Sequence, residues 1–261
     1  MSGDRYPHHA RDMAWPELRE SAGTSIAVLP IGAMEPHGPH LPLASDTLIS
    51  EYFARELADR VRAYVLPSLG YGVSTPPFRL GGHFPGVFAM SGTTFTALVE
   101  DLLRGIHEHG TRDIVIVNSA IDNTSFLYEA ARRHHQRVPD SRIMLVSWWD
   151  VVGEEFRDAL AEETGVSRHD DHHAAMVESS LVAHMAPETV RLETVQGSGE
   201  HATRRIAYHM LPLPEECGTE SGVVYRADKA DAEIGARVAA QVTRNLVQAV
   251  REEFGPEGEE R

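Results

Sequence analysis

Ser25-Ile26-Ala27-Val28-Leu29-Pro30 runs directly into Ile31-Gly32-Ala33-Met34-Glu35-Pro36-His37-Gly38-Pro39-His40-Leu41-Pro42-Leu43, and an aspartate follows at position 46. The opening run reads as a buried strand, because aliphatic and β-branched residues without a polar alternation leave no face for water. Pro30 and Gly32 end it. A Gly/Pro-rich loop carrying Glu35, His37 and His40 comes next. Asp46 then stands before an amphipathic stretch over 47–61, where Leu48, Tyr52, Leu57 and Val61 recur near helical spacing. Strand, polar loop and helix in that order make the first unit of an α/β fold.

The same alternation continues along the chain. Strands are expected at 64–66, 113–117 and 142–147. Helices are expected over 93–109 (Leu98, Leu102 and Ile106 on one stripe, Gly110 as the stop), 124–135 and 154–164. Two more follow over 172–184, with Asp170 or Asp171 as cap, and over 228–253. Such a pattern predicts a mostly parallel sheet covered by helices on both faces, in a single domain spanning 1–261. The ends, about 1–12 and 255–261, read as disordered. The stretch 192–225 has no sustained period and reads as loops or an edge hairpin.

Composition narrows the chemistry. With 261 residues and about 150 per domain as the guide, a sizeable core is available. Lys+Arg 24 against Asp+Glu 39 gives a net charge of −15, which argues against nucleic acid or an anionic membrane as partner. One cysteine, Cys217, excludes an intrachain disulfide framework and a Cys-rich zinc site. Lys229 is the only lysine, which leaves Schiff-base and P-loop chemistry little to work with. No apolar run approaches the roughly 18 residues of a membrane span, and the first residues lack the apolar core of a signal peptide. A cytoplasmic location is the expectation. Fifteen histidines with surplus carboxylates are raw material for metal binding and proton transfer.

Ligands in open α/β sheets gather beyond the carboxyl ends of the strands. The first strand is followed by Glu35, His37 and then Asp46, the third by Asn118-Ser119-Ala120-Ile121-Asp122-Asn123, and the fourth by Trp148-Trp149-Asp150. Carboxylates and imidazoles therefore converge on one rim, where close carboxylates repel unless a cation or proton intervenes. Each residue alone also has a structural reading. Glu35 and His37 can cap loop backbone, Asp46 can cap a helix, and Asp122 can form an Asx-turn beside Asn123.

The stretch from Pro30 to Leu43 followed by Asp46 closely resembles the signature of the creatininase family. The resemblance continues through Tyr71-Gly72-Val73-Ser74, His83-Phe84-Pro85-Gly86, the 118–123 segment, Ser147-Trp148-Trp149-Asp150 and His173-Ala174-Ala175-Met176-Val177-Glu178-Ser179-Ser180. It implies a three-layer α/β/α sandwich and two divalent metals that activate water against a cyclic or linear amide. It also implies a homo-oligomer, commonly a hexamer. Carried onto this chain, one metal falls to His37, Asp46 and Asp122, and the second to Glu35, a shared Asp46 and a histidine after Asn118. The family usually reads Asn-Gly-His there; this chain reads Asn118-Ser119-Ala120, and that ligand is missing. One tightly held ion, zinc or alternatively manganese, is therefore expected, with the second site weak or absent.

The resemblance further makes His173 the general acid–base and Glu178 a catalytic-site carboxylate that orients its neighbours. His83, Trp148, Trp149 and His172 fall at substrate-facing positions. His169 stands where creatininase has a pocket-closing tryptophan, and His172 where it has a glutamate; both changes argue against creatinine itself. The expected activity is metal-dependent hydrolysis of a C–N bond, not a peptide bond of a protein chain, in a small cyclic amide, formamide or peptide-like amide, or the reverse ring closure. The alternative is a degenerate member that binds a metabolite or protein partner without turnover, for which Ala120 is the best support.

Overall fold

The aliphatic run after Thr24 forms β1 (Ile26–Ile31), the centre of a four-stranded parallel sheet with β2 (Ala63–Val65), β3 (Asp113–Asn118) and β4 (Arg142–Ser147) in the order β2-β1-β3-β4. These coordinates are a computed structural model that describes residues 9–74, 84–208 and 210–255. Seven α-helices are present among them: α1 (Trp15–Ala22), α2 (Ser45–Ala58), α3 (Gly92–Glu108), α4 (Thr124–Arg137), α5 (Glu154–Thr164), α6 (Met176–Met185) and α7 (Ala232–Phe254).

The period-2 geometry of strands explains the three layers. Val28 of β1 with Val115 and Val117 of β3 faces one core, packed against α2, α6 and α7. Ala27, Leu29 and Ile31 with Ile114 and Ile116 face the other, packed against α3 and α4. Both faces are thus apolar, as the unbroken runs require. Val28 lies opposite Val115 and Ile31 opposite Asn118, so β1 and β3 end level with one another. The connection from β1 to β2 runs through α2 on one face, and that from β2 back across to β3 runs through α3 on the other. This reversal opens a crevice beyond the ends of β1 and β3.

Most expected elements stand within a few residues of their expected bounds. Three differences matter. Asp46 does not cap α2; Ala44 takes the N-cap and Asp46 lies inside the first turn, buried. Its carboxylate is turned toward His37 instead. Helix α6 starts at Met176, not 172, because Ala174 adopts a left-handed backbone with φ of 52°. Helix α1 was not anticipated, and the chain is already regular at Ala10–Asp12, a 3-10 turn inside the stretch expected to be disordered. The rest of those ends, 1–8 and 256–261, lies outside the described residues. The described residues between 192 and 225 are mostly loop, with an antiparallel bridge between His201 and Tyr225. No helix among the described residues is long and apolar enough to cross a membrane.

Candidate active site

Gly32 lets the first loop leave the sheet. A Cβ there would lie 2.4 Å from the backbone nitrogen of Thr47, so only glycine allows the end of β1 to pack on the first turn of α2. That contact brings Asp46 under the loop bearing Glu35 and His37. On the neighbouring strand, buried Asn118 and Asn123 brace the second loop. Asn118 Nδ2 donates to the Ala120 carbonyl at 2.9 Å, and Asn123 Nδ2 donates to the Gly32 carbonyl at 2.9 Å.

His37 is the hub. Its Nδ1 lies 3.2 Å from the Glu35 carbonyl, which can only accept, so Nδ1 carries a hydrogen and Nε2 is left to the interior. There Nε2 lies 3.2 Å from Asp46 Oδ1 and 3.5 Å from Glu178 Oε2, yet it has no aligned hydrogen bond, and Asp46 Oδ2 has none either. A buried imidazole lone pair facing two carboxylates is stable only with a positive charge between them. A proton on His37 supplies it in one case. Burial opposes that charge, but the Glu178 and Asp46 carboxylates overcome it and hold the imidazole well above its ordinary pKa. A divalent cation supplies it in the other, and one nitrogen with carboxylate oxygens is a donor set such ions accept. The residues fit a metal.

The surrounding groups respond to the same field. Burial, reinforced by Asp46, pushes Glu35 up to about 8. Burial likewise pushes Asp46 up to about 6 against the pull of His37. Burial also resists the charge on Glu178, but His37 outweighs it and holds this carboxyl at about 2. Glu178 Oε2 additionally accepts from the Ala174 amide at 2.6 Å. The strained φ of Ala174 thus turns that amide toward Glu178 at the start of α6.

His173 lies over His37, with ring centroids 4.3 Å apart. Its Nε2 donates to the Pro36 carbonyl at 2.9 Å, so in the neutral form Nδ1 holds the lone pair, 3.7 Å from Glu35 Oε1. Burial and the nearby His37 lower it to about 4, which makes the neutral imidazole its resting form.

Among the described residues, two sets of possible ligand atoms gather within 4.8 Å of one another: Glu35, His37 and His173, and His37, Asp46 and Glu178. Asp122, expected beside His37 and Asp46, belongs to neither set; Glu178 occupies that place. Asp122 sits in the 3-10 turn Ile121–Asn123 with an aspartate's short reach, and its charge still adds to the upward push on Glu35 and Asp46. Ala120 is buried and lines the cavity with its methyl group. His40 is tied to Ser179 Oγ at 2.7 Å and joins neither ligand set. Trp148 and Trp149, in edge contact at 5.6 Å, and His172 line a cavity of about 810 Å³ that opens onto Glu35, Asp46, His173 and Glu178. His83 lies outside the described residues.

Glu178, read from the sequence as a site carboxylate that orients its neighbours, lies with His37 and Asp46 among possible ligand atoms. Sequence reasoning did not single out Arg204 and Arg205, which line the cavity from a stretch without period.

The creatinine amidohydrolase family model matches residues 11–250. This chain belongs to the creatininase family. Creatinine amidohydrolase of Pseudomonas putida is 29% identical over 94% of this chain and 96% of its own length. A mycofactocin precursor peptide peptidase of Mycobacterium tuberculosis is 28% identical over 85% of this chain and 83% of its own. Solved creatininases in manganese and Zn–Zn forms cover 95% of this chain and 99% and 98% of theirs, at 28% and 27% identity and TM-scores of 0.87 and 0.86. The expected α/β architecture and family membership are both confirmed. Family relatives named for amide and peptide hydrolysis place this chain among hydrolases, and solved neighbours carry manganese or zinc.

Proposed function

We propose that this protein is a metal-dependent amidohydrolase that cleaves, or in reverse closes, the C–N bond of a small cyclic or peptide-like amide. The observation that carries the reading is the unpartnered, buried Nε2 of His37 facing Asp46 and Glu178. His37, Asp46 and Glu178 would hold the ion. Such an ion, when bound, polarises an amide carbonyl and brings water into the nucleophilic range near neutral pH.

The chain's own residues do the rest. His173 Nδ1 faces Glu35 at the cavity floor and takes the proton from the attacking water. It then returns the proton to the departing nitrogen. The Pro36 carbonyl fixes the ring for both transfers by holding Nε2–H. Trp148 and Trp149 wall the substrate off from bulk water. Ala120 supports the weak-second-site reading, because a methyl group replaces a ligand beside Glu35.

The test is metal analysis of the purified chain followed by assay of a lactam, formamide and dipeptide panel with added zinc or manganese. About one ion per chain and metal-dependent turnover are expected. His173→Gln should keep the ion and lower kcat by about 10²–10⁴. Stoichiometric metal without turnover on any amide would favour the second reading, a degenerate binding protein, which Ala120 also supports. The hexamer expected from the family is checked by sedimentation.

A further inference from the structure

Beyond Glu35, Asp46 and Glu178, the cavity is lined by Asp150, Glu154, Asp170 and Asp171, and by the exposed Arg204 and Arg205 on the loop stretch 192–225. That stretch is tied to the catalytic end by the backbone. Val224 N donates to the His173 carbonyl at 3.1 Å, Ala202 N to the Val224 carbonyl at 2.7 Å, and Thr203 N and Arg204 N both to the Glu216 carbonyl at 3.0 Å.

The other arginines of the cavity are occupied. Arg157 donates to the Trp149 carbonyl and Arg168 pairs with Glu154 and Asp158. Arg205 donates to the His169 carbonyl at 2.7 Å and lies 3.9 Å from Asp170, leaving donors of its planar fork unused. Arg204 has no side-chain partner among the described residues. In a chain with net charge −15, a guanidinium without a carboxylate at the wall of a catalytic cavity runs against composition. An arginine fork matches a carboxylate in two parallel hydrogen bonds.

We propose that the substrate is a small amide that bears a carboxylate, held by Arg204 with Arg205 beside it while the amide carbonyl reaches the floor. This rests on the amidohydrolase reading and narrows its substrate class. Trp148 and Trp149 line the same cavity and offer apolar surface to the body of such a substrate. Without the arginines, the Glu178 carboxylate would repel it.

The test is calorimetric titration of the zinc-loaded full chain with two matched pairs, pyroglutamate against its neutral carboxamide and N-acetylglycine against N-acetylglycinamide. Metal content is measured on the same samples. The carboxylate of at least one pair should bind about tenfold more tightly than its amide, the scale of one charge-assisted hydrogen bond. Arg204→Gln should reduce that preference to within about twofold, and Arg204→Lys should retain part of it. Equal binding within both pairs, no binding by any of the four, or a preference that survives Arg204→Gln overturns the proposal. If zinc stays bound in those cases, the amidohydrolase reading stands; loss of zinc from the unaltered chain sinks that reading instead.

Discussion

Ala120 tests the metal count at a single position. It is buried, and it lines the cavity that Glu35 also lines, so an imidazole there would face the same space. Ala120→His should raise the metal content from about one to about two per chain, read by elemental analysis; an unchanged count would show that the loop cannot present a ligand. A paired measurement ranks the third ligand. Glu178→Gln should weaken zinc binding by at least about tenfold, and Asp122→Asn by less, because Glu178 lies 3.5 Å from His37 and joins its set of possible ligand atoms whereas Asp122 does not. The reverse ranking in a competitive chelator titration would return the role to Asp122. Much of this site was legible beforehand. Glu35, His37 and Asp46 are carried on one continuous motif, so their grouping needs only local geometry. Glu178 was legible as a site carboxylate, but its place beside His37 and Asp46 was not, nor was the place of Arg204 in the cavity lining. These placements depend on the left-handed turn at Ala174 and on an aperiodic loop, and neither leaves a pattern in hydrophobicity.

Helix α6 transmits packing to the site. Gly235 on α7 allows that helix to lie against the Ser180 backbone, since a Cβ would meet the Ser180 carbonyl oxygen at 1.9 Å. Gly235→Ala must push α6 aside. The expected cost is about 1–3 kcal/mol in urea unfolding. Because α6 also carries Glu178, weaker zinc binding should accompany it; a loss of stability with unchanged metal affinity would separate the helix from the site. The elements themselves were readable because each strand is an unbroken apolar run and each helix keeps its stripe. Helix α1 escaped notice because Trp15-Pro16-Glu17-Leu18 shows no apolar period and its Trp15 is exposed. The start of α6 was misplaced for a different reason: a backbone with positive φ at an alanine is a tertiary demand, which propensity does not report.

Charge over the whole molecule ties folding to the metal. Glu35 at about 8 and Asp171, raised by burial to about 7, hold protons more tightly folded than unfolded, where 4.5 and 3.8 are ordinary. His37, raised above 6.5, does the same. Such groups favour the fold at low pH and lose that advantage as pH climbs through the folded value. His173 and His40, both lowered to about 4, act oppositely, but only between about 4 and 6.5, where they offset the carboxylates. Glu178, held at about 2, matters only below its ordinary 4.5. The unopposed interval is therefore about 6.5 to 8, in which metal-stripped protein should lose thermal stability as pH rises. In the proposed site zinc would take the place of the proton that His37 holds between Asp46 and Glu178, so its affinity should rise over the same interval. The increase in Tm on adding zinc should be small near pH 6 and largest near pH 8, measured by calorimetry in matched buffers. A zinc-induced increase that stays constant across that range would mean that the ion does not displace the protons of this cluster, and would move the metal away from His37.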